Sequence, residues 1–218
     1  MESYTGLLKQ DIRFKEGLNA CMNCGVCTAI CPAAEFYDYD PRKVVDLVQS
    51  GNDHEIESLL KSDTIWYCGE CMSCKTRCPR GNTPGLIIIA LRSLSQKLGL
   101  FVESEKGRQQ FALKRTIGEN IFKYGYCVAT YAVSPEMHRE QGPVWNYIIE
   151  HSRDIYERFG TKIGELGEGP LRKIPEDAMQ ELKNIFEVTG GTDFFNTIEE
   201  HSKKKASELG IEFKDKGI

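Results

Sequence analysis

The 218 residues read as an all-α chain, and three features carry that reading. Helix-capping residues recur just ahead of apolar positions at helical spacing. Strand signals are sparse throughout. The segment between two dense cysteine groups divides into two short helices. In chain order, Asp40-Pro41 is an N-cap and N1 pair, and Val44, Val45, Leu47 and Val48 follow at helical spacing, with Gly51 as the stop. Asp53 is positioned to cap a second helix carrying Ile56, Leu59 and Leu60. Thr83-Pro84 opens a third helix by the same logic, with Ile87, Leu91, Leu94 and Leu98 as an apolar stripe and Gly99 closing it. The run Ile87-Ile88-Ile89 also suits a short strand, but the long periodic stretch behind it decides for helix.

A helix over 104–124 follows, carrying Phe111, Leu113, Ile117, Ile121 and Phe122. Residues 125–143 lack a clean period and contain Pro135 and Pro143, which predicts a loop or partly extended segment. A single helix is expected over 144–159. Another begins at Pro175, with Met179, Leu182, Ile185 and Phe186 on one side. Thr192 or Asp193 is expected to cap the last, which carries Phe194, Phe195 and Ile198; Lys203-Lys204-Lys205 marks its solvated end. The expected division is residues 1–103, with both cysteine groups, and 104–218 as a helical C-terminal extension.

A hydrophobic fraction of 40% is enough for a packed core. The net charge of −4 leaves no basic stripe for nucleic acid. The longest apolar run is Leu86 to Leu91. It falls far short of the roughly 20 residues that span a bilayer. The opening MESYTGLLKQD lacks the apolar centre of a signal peptide. A cytoplasmic protein is therefore expected, or one held at a membrane through a partner. Gly164, Gly167 and Gly169 follow a helical pattern and end in proline, which suits a loop and not a nucleotide fingerprint. His54, His138, His151 and His201 are scattered, and no nucleophile has a general base nearby in the sequence. No catalytic residue is assigned, and the chemistry is expected to be confined to electron transfer.

Eight of the nine cysteines supply that chemistry. Cys21, Cys24, Cys27 and Cys31 precede Pro32; Cys68, Cys71, Cys74 and Cys78 precede Pro79. Both groups follow C-x2-C-x2-C-x3-C-P, which resembles the ligand run of bacterial two-cluster ferredoxins. A 4Fe–4S cube needs four thiolates around a compact core. Two intervening residues make a turn that aims sulfurs inward and points backbone N–H groups at them, and those bonds tune the potential. Gly25 and Gly69 lie inside the turns and ease that approach. In the ferredoxin arrangement the fourth cysteine serves the other cluster. Crossed ligation follows: Cys21, Cys24, Cys27 and Cys78 for one cluster, and Cys68, Cys71, Cys74 and Cys31 for the other. Structural zinc uses cysteine pairs with a longer spacer, commonly with histidine. A 3Fe–4S cluster would leave one cysteine missing, and disulfides need an oxidising compartment.

With helices between its motifs, the chain resembles the family of heterodisulfide reductase C subunits. The segments that carry the resemblance are ACMNCGVCTAICP, DPRKVVDLVQSG, TIWYCGECMSCKTRCPRG and LIIIALRSL, within residues 10–100. The resemblance implies an alpha-helical ferredoxin domain with two 4Fe–4S clusters. It also implies electron relay between a flavin-containing A-type subunit and a CCG-domain B-type subunit where the disulfide chemistry occurs. No CCG-type motif occurs here, so a catalytic centre is expected in a partner. Methanogen members are expected to be shorter at the C-terminus. The extension after about residue 124 instead resembles the heterodisulfide reductase-like complexes of sulfur oxidisers. One alternative is the iron–sulfur subunit of another respiratory dehydrogenase feeding quinone, of the fumarate reductase, glycolate or glycerol-3-phosphate kind. A second, of a different class, is a zinc-binding scaffold.

Several residues outside the motifs carry separate expectations. Cys127, among apolar neighbours, is expected to be buried as a small hydrophobe, the alternative being a redox-active thiol or a ligand at a subunit boundary. Trp66 and Tyr67 are placed to shield a cluster from water, and core packing alone would put them there as well. Lys75, Arg77 and Arg80 are expected as solvated charges that could also meet an acidic partner. Tyr124, Tyr126 and Tyr131 suit either a core or a subunit interface.

Overall fold

The computed structural model describes residues 2–130, 133–136 and 139–212, and among them it is helical with no strand. It forms two compact units, Met1–Gln109 and Gln110–Ile218. No described helix is long and apolar enough to cross a membrane.

The first unit begins with two short helices, α1 (Tyr4–Leu8) and α2 (Ile12–Gly17). One-turn helices α3 (Val26–Ala29) and α4 (Ala33–Phe36) flank the end of the first cysteine run. Then come α5 (Pro41–Ser50) and α6 (Asp53–Leu60). Asp40 caps α5, accepting from Arg42 N–H at 2.9 Å and from Lys43 N–H at 3.3 Å. Pro41 occupies the first turn, where its missing N–H costs nothing. The cap of α6 differs from expectation. Asn52 takes that role, accepting from His54 N–H at 3.2 Å. Asp53 lies one residue inside and turns outward. Its carboxylate accepts from Tyr4 N–H at 3.2 Å, from Thr5 N–H at 3.1 Å and from Thr5 Oγ1 at 3.1 Å. The free N–H groups at the start of α1 need an acceptor, and an anion at a helix N-terminus is the best one.

Helix α7 (Pro84–Lys97) is the pillar of this unit. The isoleucine run is helical. Ile87, Ile88 and Leu91 are fully buried and join Val44, Val45, Val48, Ile56 and Leu60 in one core. Leu98, the last member of the expected stripe, is exposed because the helix ends at Lys97. Thr83 stands at the N-cap without a side-chain bond; its own N–H donates to Gly17 O at 2.8 Å. Buried Ser95 donates from Oγ to Leu60 O at 2.7 Å and ties α7 to α6.

Helix α8 (Glu105–Leu113), a π-turn (Lys114–Gly118) and α9 (Glu119–Tyr124) make up the expected 104–124 helix, with a wider turn inside it. In the second unit this turn brings Lys114 and Arg115 onto Glu199 of α13 (Gly191–Glu208). Phe122 meets Phe186 of α12 (Glu176–Val188) edge-on, with centroids 4.4 Å apart. It meets Phe195 of α13 in the same way at 5.5 Å, the geometry that aromatic quadrupoles favour. Helix α13 starts at Gly191 behind Gly190, ahead of the expected Thr192 or Asp193 cap. The single helix expected over 144–159 is two, α10 (Pro143–Glu150) and α11 (Ser152–Arg158). His151 breaks it: its ring stacks on Tyr147 at 4.1 Å, and its Nδ1 lies 3.0 Å from Tyr147 O. Residues 163–171 are turns and bends, as the glycines there suggest. Tyr126 Oη is buried without a hydrogen-bond partner. Tyr131 and His138 lie outside the described residues.

Cys127 is exposed, not buried. The chain leaves α9 at Gly125 and turns inward only at Ala129 and Thr130, which are buried, so Cys127 and Val128 face outward.

Two outcomes test these contacts. Asn52→Ala costs about 1 kcal/mol, the usual loss for a helix cap. Asp53→Ala costs about 1–3 kcal/mol because several donors lose one acceptor; urea denaturation of the whole chain measures both. Glu199 provides the pH-dependent test. Burial disfavours its charged form, but hydrogen bonds from Arg115 and Lys114 outweigh that and hold its carboxyl below the ordinary 4.5. A depressed carboxylate stabilises the fold above its unfolded pKa, and that stabilisation is lost as pH falls through the folded value. Glu199→Gln therefore lowers the melting temperature at neutral pH, and the gap from wild type closes as pH drops below 4.5.

Candidate metal centre

The two cysteine loops are built alike. In the first, Asn23 and Gly25 have positive φ, 59° and 79°; in the second, the matching Glu70 and Met72 have 53° and 58°. Each pair lies two and four residues after the run's first cysteine. The reversal turns an N–H back on that sulfur: Asn23 N–H donates to Cys21 Sγ and Glu70 N–H to Cys68 Sγ, each at 3.4 Å. The glycine expectation holds for Gly25 only. Gly69 is not left-handed, and a Cβ there would meet nothing within 4 Å. The second loop instead holds two non-glycine residues in a sparsely populated region, which persists only where the surroundings fix it.

Arginines supply that fixing. Arg42 of α5 donates to Asn23 Oδ1 at 2.8 Å and pairs with Asp40 at 3.0 Å. Arg92 of α7 does the equivalent work for the second loop. It pairs with Glu70 and donates to Ile65 O and Cys68 O, each at 2.6 Å, while its guanidinium lies 5.4 Å from the Trp66 ring centroid. Arg92 is the one charge inside the apolar run LIIIALRSL, a signal that could have drawn attention to it.

Three contacts stitch the segment before the first run to the segment after the second. Thr83 N–H meets Gly17 O at 2.8 Å, Asn82 Oδ1 accepts from Asn19 N–H at 2.5 Å, and Arg80 Nε donates to Ala20 O at 3.2 Å. Gln49 of α5 holds Cys21 from the other side, accepting from its N–H at 2.5 Å. This antiparallel pairing carries Cys78 over to the first loop. Cys21, Cys24, Cys27 and Cys78 line one hollow. Cys31, Cys68, Cys71 and Cys74 line another. Pro84, the first residue of α7, borders both. Gly85 beside it is needed for fit, since a Cβ would lie 2.8 Å from Met72 Sδ.

Each hollow has one exposed cysteine, Cys24 or Cys71, and three half-buried ones. Burial pushes the thiols of Cys27, Cys68 and Cys74 up. A hydrogen bond from Ser73 draws Cys71 down. Tyr39 lines the second hollow, is 3% exposed and has its hydroxyl toward Cys68. Burial, and next the Cys68 sulfur, drive its pKa far above the ordinary phenol value. Among the described residues, no three His, Cys, Asp or Glu side chains converge as a single-ion site does. Four thiols around an open hollow are instead the donor set of a 4Fe–4S cluster.

Trp66 and Tyr67 line neither hollow. They pack behind, against the core, with Tyr67 stacked on Tyr37 at 4.5 Å and edge-on to Tyr39 at 6.4 Å. The residue between this aromatic layer and the hollow is Tyr39, which the sequence did not single out. Lys75, Arg77 and Arg80 are all exposed, and Arg80 also borders the first hollow.

Comparison with known proteins also points to 4Fe–4S chemistry. Residues 17–82 match a family model described as a 4Fe–4S dicluster domain. The chain is 34% identical to the C subunit of the ferredoxin:CoB-CoM heterodisulfide reductase of Methanosarcina acetivorans, over 93% of this chain and 74% of that protein. It is 30% identical to a CoB–CoM heterodisulfide reductase iron-sulfur C subunit of Methanocaldococcus jannaschii, over 78% of this chain and 73% of that protein. The C2 subunit of the H(2)/formate:CoB-CoM heterodisulfide,ferredoxin reductase of Methanococcus maripaludis is 36% identical over 44% of this chain and 50% of its own. The first of these overturns the expectation that methanogen members lack the C-terminal extension, because it aligns along nearly the whole chain. The extension therefore does not single out the sulfur oxidisers. The chain is an iron–sulfur protein of the electron-transport kind, and it belongs to the family of heterodisulfide reductase C subunits.

Proposed function

We propose that the chain is the electron-relay subunit of a heterodisulfide reductase complex and holds two 4Fe–4S clusters. Cys21, Cys24, Cys27 and Cys78 would ligate one, and Cys68, Cys71, Cys74 and Cys31 the other. The observation that carries this reading is the pair of four-thiol hollows on either side of Pro84. When bound, such clusters supply one-electron carriers. The chain's own part is to hold eight thiolates, aim N–H groups at their sulfurs and keep the inner side of each hollow dry. Neighbouring hollows suit transfer within the unit. Exposed Cys24 and Cys71 give each hollow a side open to a partner.

In this reading the partners are a flavin-containing A-type subunit and a CCG-domain B-type subunit, in a hetero-oligomer. The substrate of the complex is a heterodisulfide of the CoB-CoM kind that the relatives' names specify. A role in sulfur oxidation would rest on the extension alone, which a methanogen relative shares. A zinc scaffold is disfavoured by donors that surround hollows and, among the described residues, do not converge.

Anaerobically purified protein should be brown, bleach with dithionite and contain about eight irons with matching sulfide, two cubes of four. Colourless protein with zinc would exclude the relay. Ligand sets follow from serine variants. Cys24→Ser and Cys71→Ser define the electron paramagnetic resonance spectrum lost from each hollow. Cys78→Ser should then resemble Cys24→Ser, and Cys31→Ser should resemble Cys71→Ser. The reverse pairing would mean that each run holds its own cluster.

A further inference from the structure

Buried polar atoms normally have a hydrogen-bond partner, so an orphan beside a ligand site needs an explanation. Seven buried side-chain polar atoms lack one among the described residues, and two of these belong to residues that line the hollows. Asn82 borders the first hollow and is 2% exposed. Its Oδ1 accepts from Asn19 N–H, which fixes the amide orientation and assigns the unpartnered atom as the NH2. Its backbone N–H already donates to Cys78 Sγ at 3.3 Å. Tyr39 borders the second hollow, with its hydroxyl unpartnered and facing Cys68. Each hollow thus has one fixed neutral donor: Asn82 Nδ2 has no acceptor among the described residues, and the Tyr39 hydroxyl has only the Cys68 sulfur that it faces.

We infer that Asn82 Nδ2 and Tyr39 Oη each donate a hydrogen bond to sulfur of the 4Fe–4S cluster in their own hollow, thiolate or sulfide, and raise that cluster's reduction potential. The physical reason is charge. Reduction adds an electron to an already anionic iron–sulfur body, and a donor aimed at its sulfur stabilises the reduced form more than the oxidised one. The donors differ, an amide on one side and a phenol on the other, so the two potentials are set separately. The inference rests on the two-cluster reading above.

Redox titration of the whole chain, followed by electron paramagnetic resonance, tests it. Wild-type protein with about eight irons establishes the two-cluster reading first; a wild type without clusters would sink that reading and this inference with it, whereas the variants below test this inference alone. Tyr39→Phe removes only the hydroxyl. It should keep full iron and shift downward the midpoint of the Cys68 cluster alone, and Asn82→Leu should lower that of the Cys21 cluster alone. Unchanged midpoints at full iron, or equal shifts of both clusters, would overturn the inference. Should Asn82→Leu lose iron, wild-type protein decides. Pulsed resonance in deuterated water should then find a strongly coupled exchangeable amide proton at the Cys21 cluster, beyond those seen in Asn82→Asp. Its absence would contradict the role of Asn82.

Discussion

The structure depends on holding two cysteine loops in a backbone conformation they would not keep alone. Asn23, Glu70 and Met72 have positive φ. Each such residue costs on the order of 1–3 kcal/mol. The reversed peptides, however, are what turn N–H groups onto the first sulfur of each run. Something outside the loop must hold it, and that is the helix pair α5 and α7. Arg42 and Arg92, one from each, fasten the side chains of Asn23 and Glu70. Arg92 is only 15% exposed, so its bonds to Glu70, Ile65 and Cys68 are made partly out of water. Removing one partner there leaves a charge uncompensated.

The same scaffold determines which thiols meet. Residues 17–20 run beside 80–83 through three tethers, and that pairing delivers Cys78 to the first loop. The fourth cysteine of each run is thereby separated from its own group, and neither hollow can assemble unless the other loop is in place. Pro84 and Gly85 complete the arrangement. A proline fits the first turn of α7, and the missing side chain at Gly85 lets Met72 close in.

Much of this was legible in the sequence because it is local. Asp40-Pro41 and Gly51 delimit α5 through backbone chemistry within a few residues, and the stripe from Ile87 to Leu94 reports the buried face of α7. The cysteine spacing identified the thiols that line both hollows. What escaped was non-local. Asp53 looks like a cap in sequence, yet α1, far upstream, takes its carboxylate. Tyr39 and Asn82 look like ordinary turn residues, and only the fold turns them to the hollows. Trp66 is adjacent to the second run but packs away from it under Arg92. Cys127 has apolar neighbours in sequence, but the chain does not turn inward until two residues later. His151 broke an expected helix through its ring, a contact that apolar periodicity does not register.

The central claim is that thiols from opposite runs share a cluster. A crystal structure of anaerobically prepared protein with anomalous scattering collected at the iron edge tests it most directly. Two compact iron peaks are expected, one enclosed by Cys21, Cys24, Cys27 and Cys78, the other by Cys31, Cys68, Cys71 and Cys74. Peaks enclosed by the four cysteines of a single run, or scattering only at the zinc edge, would contradict it.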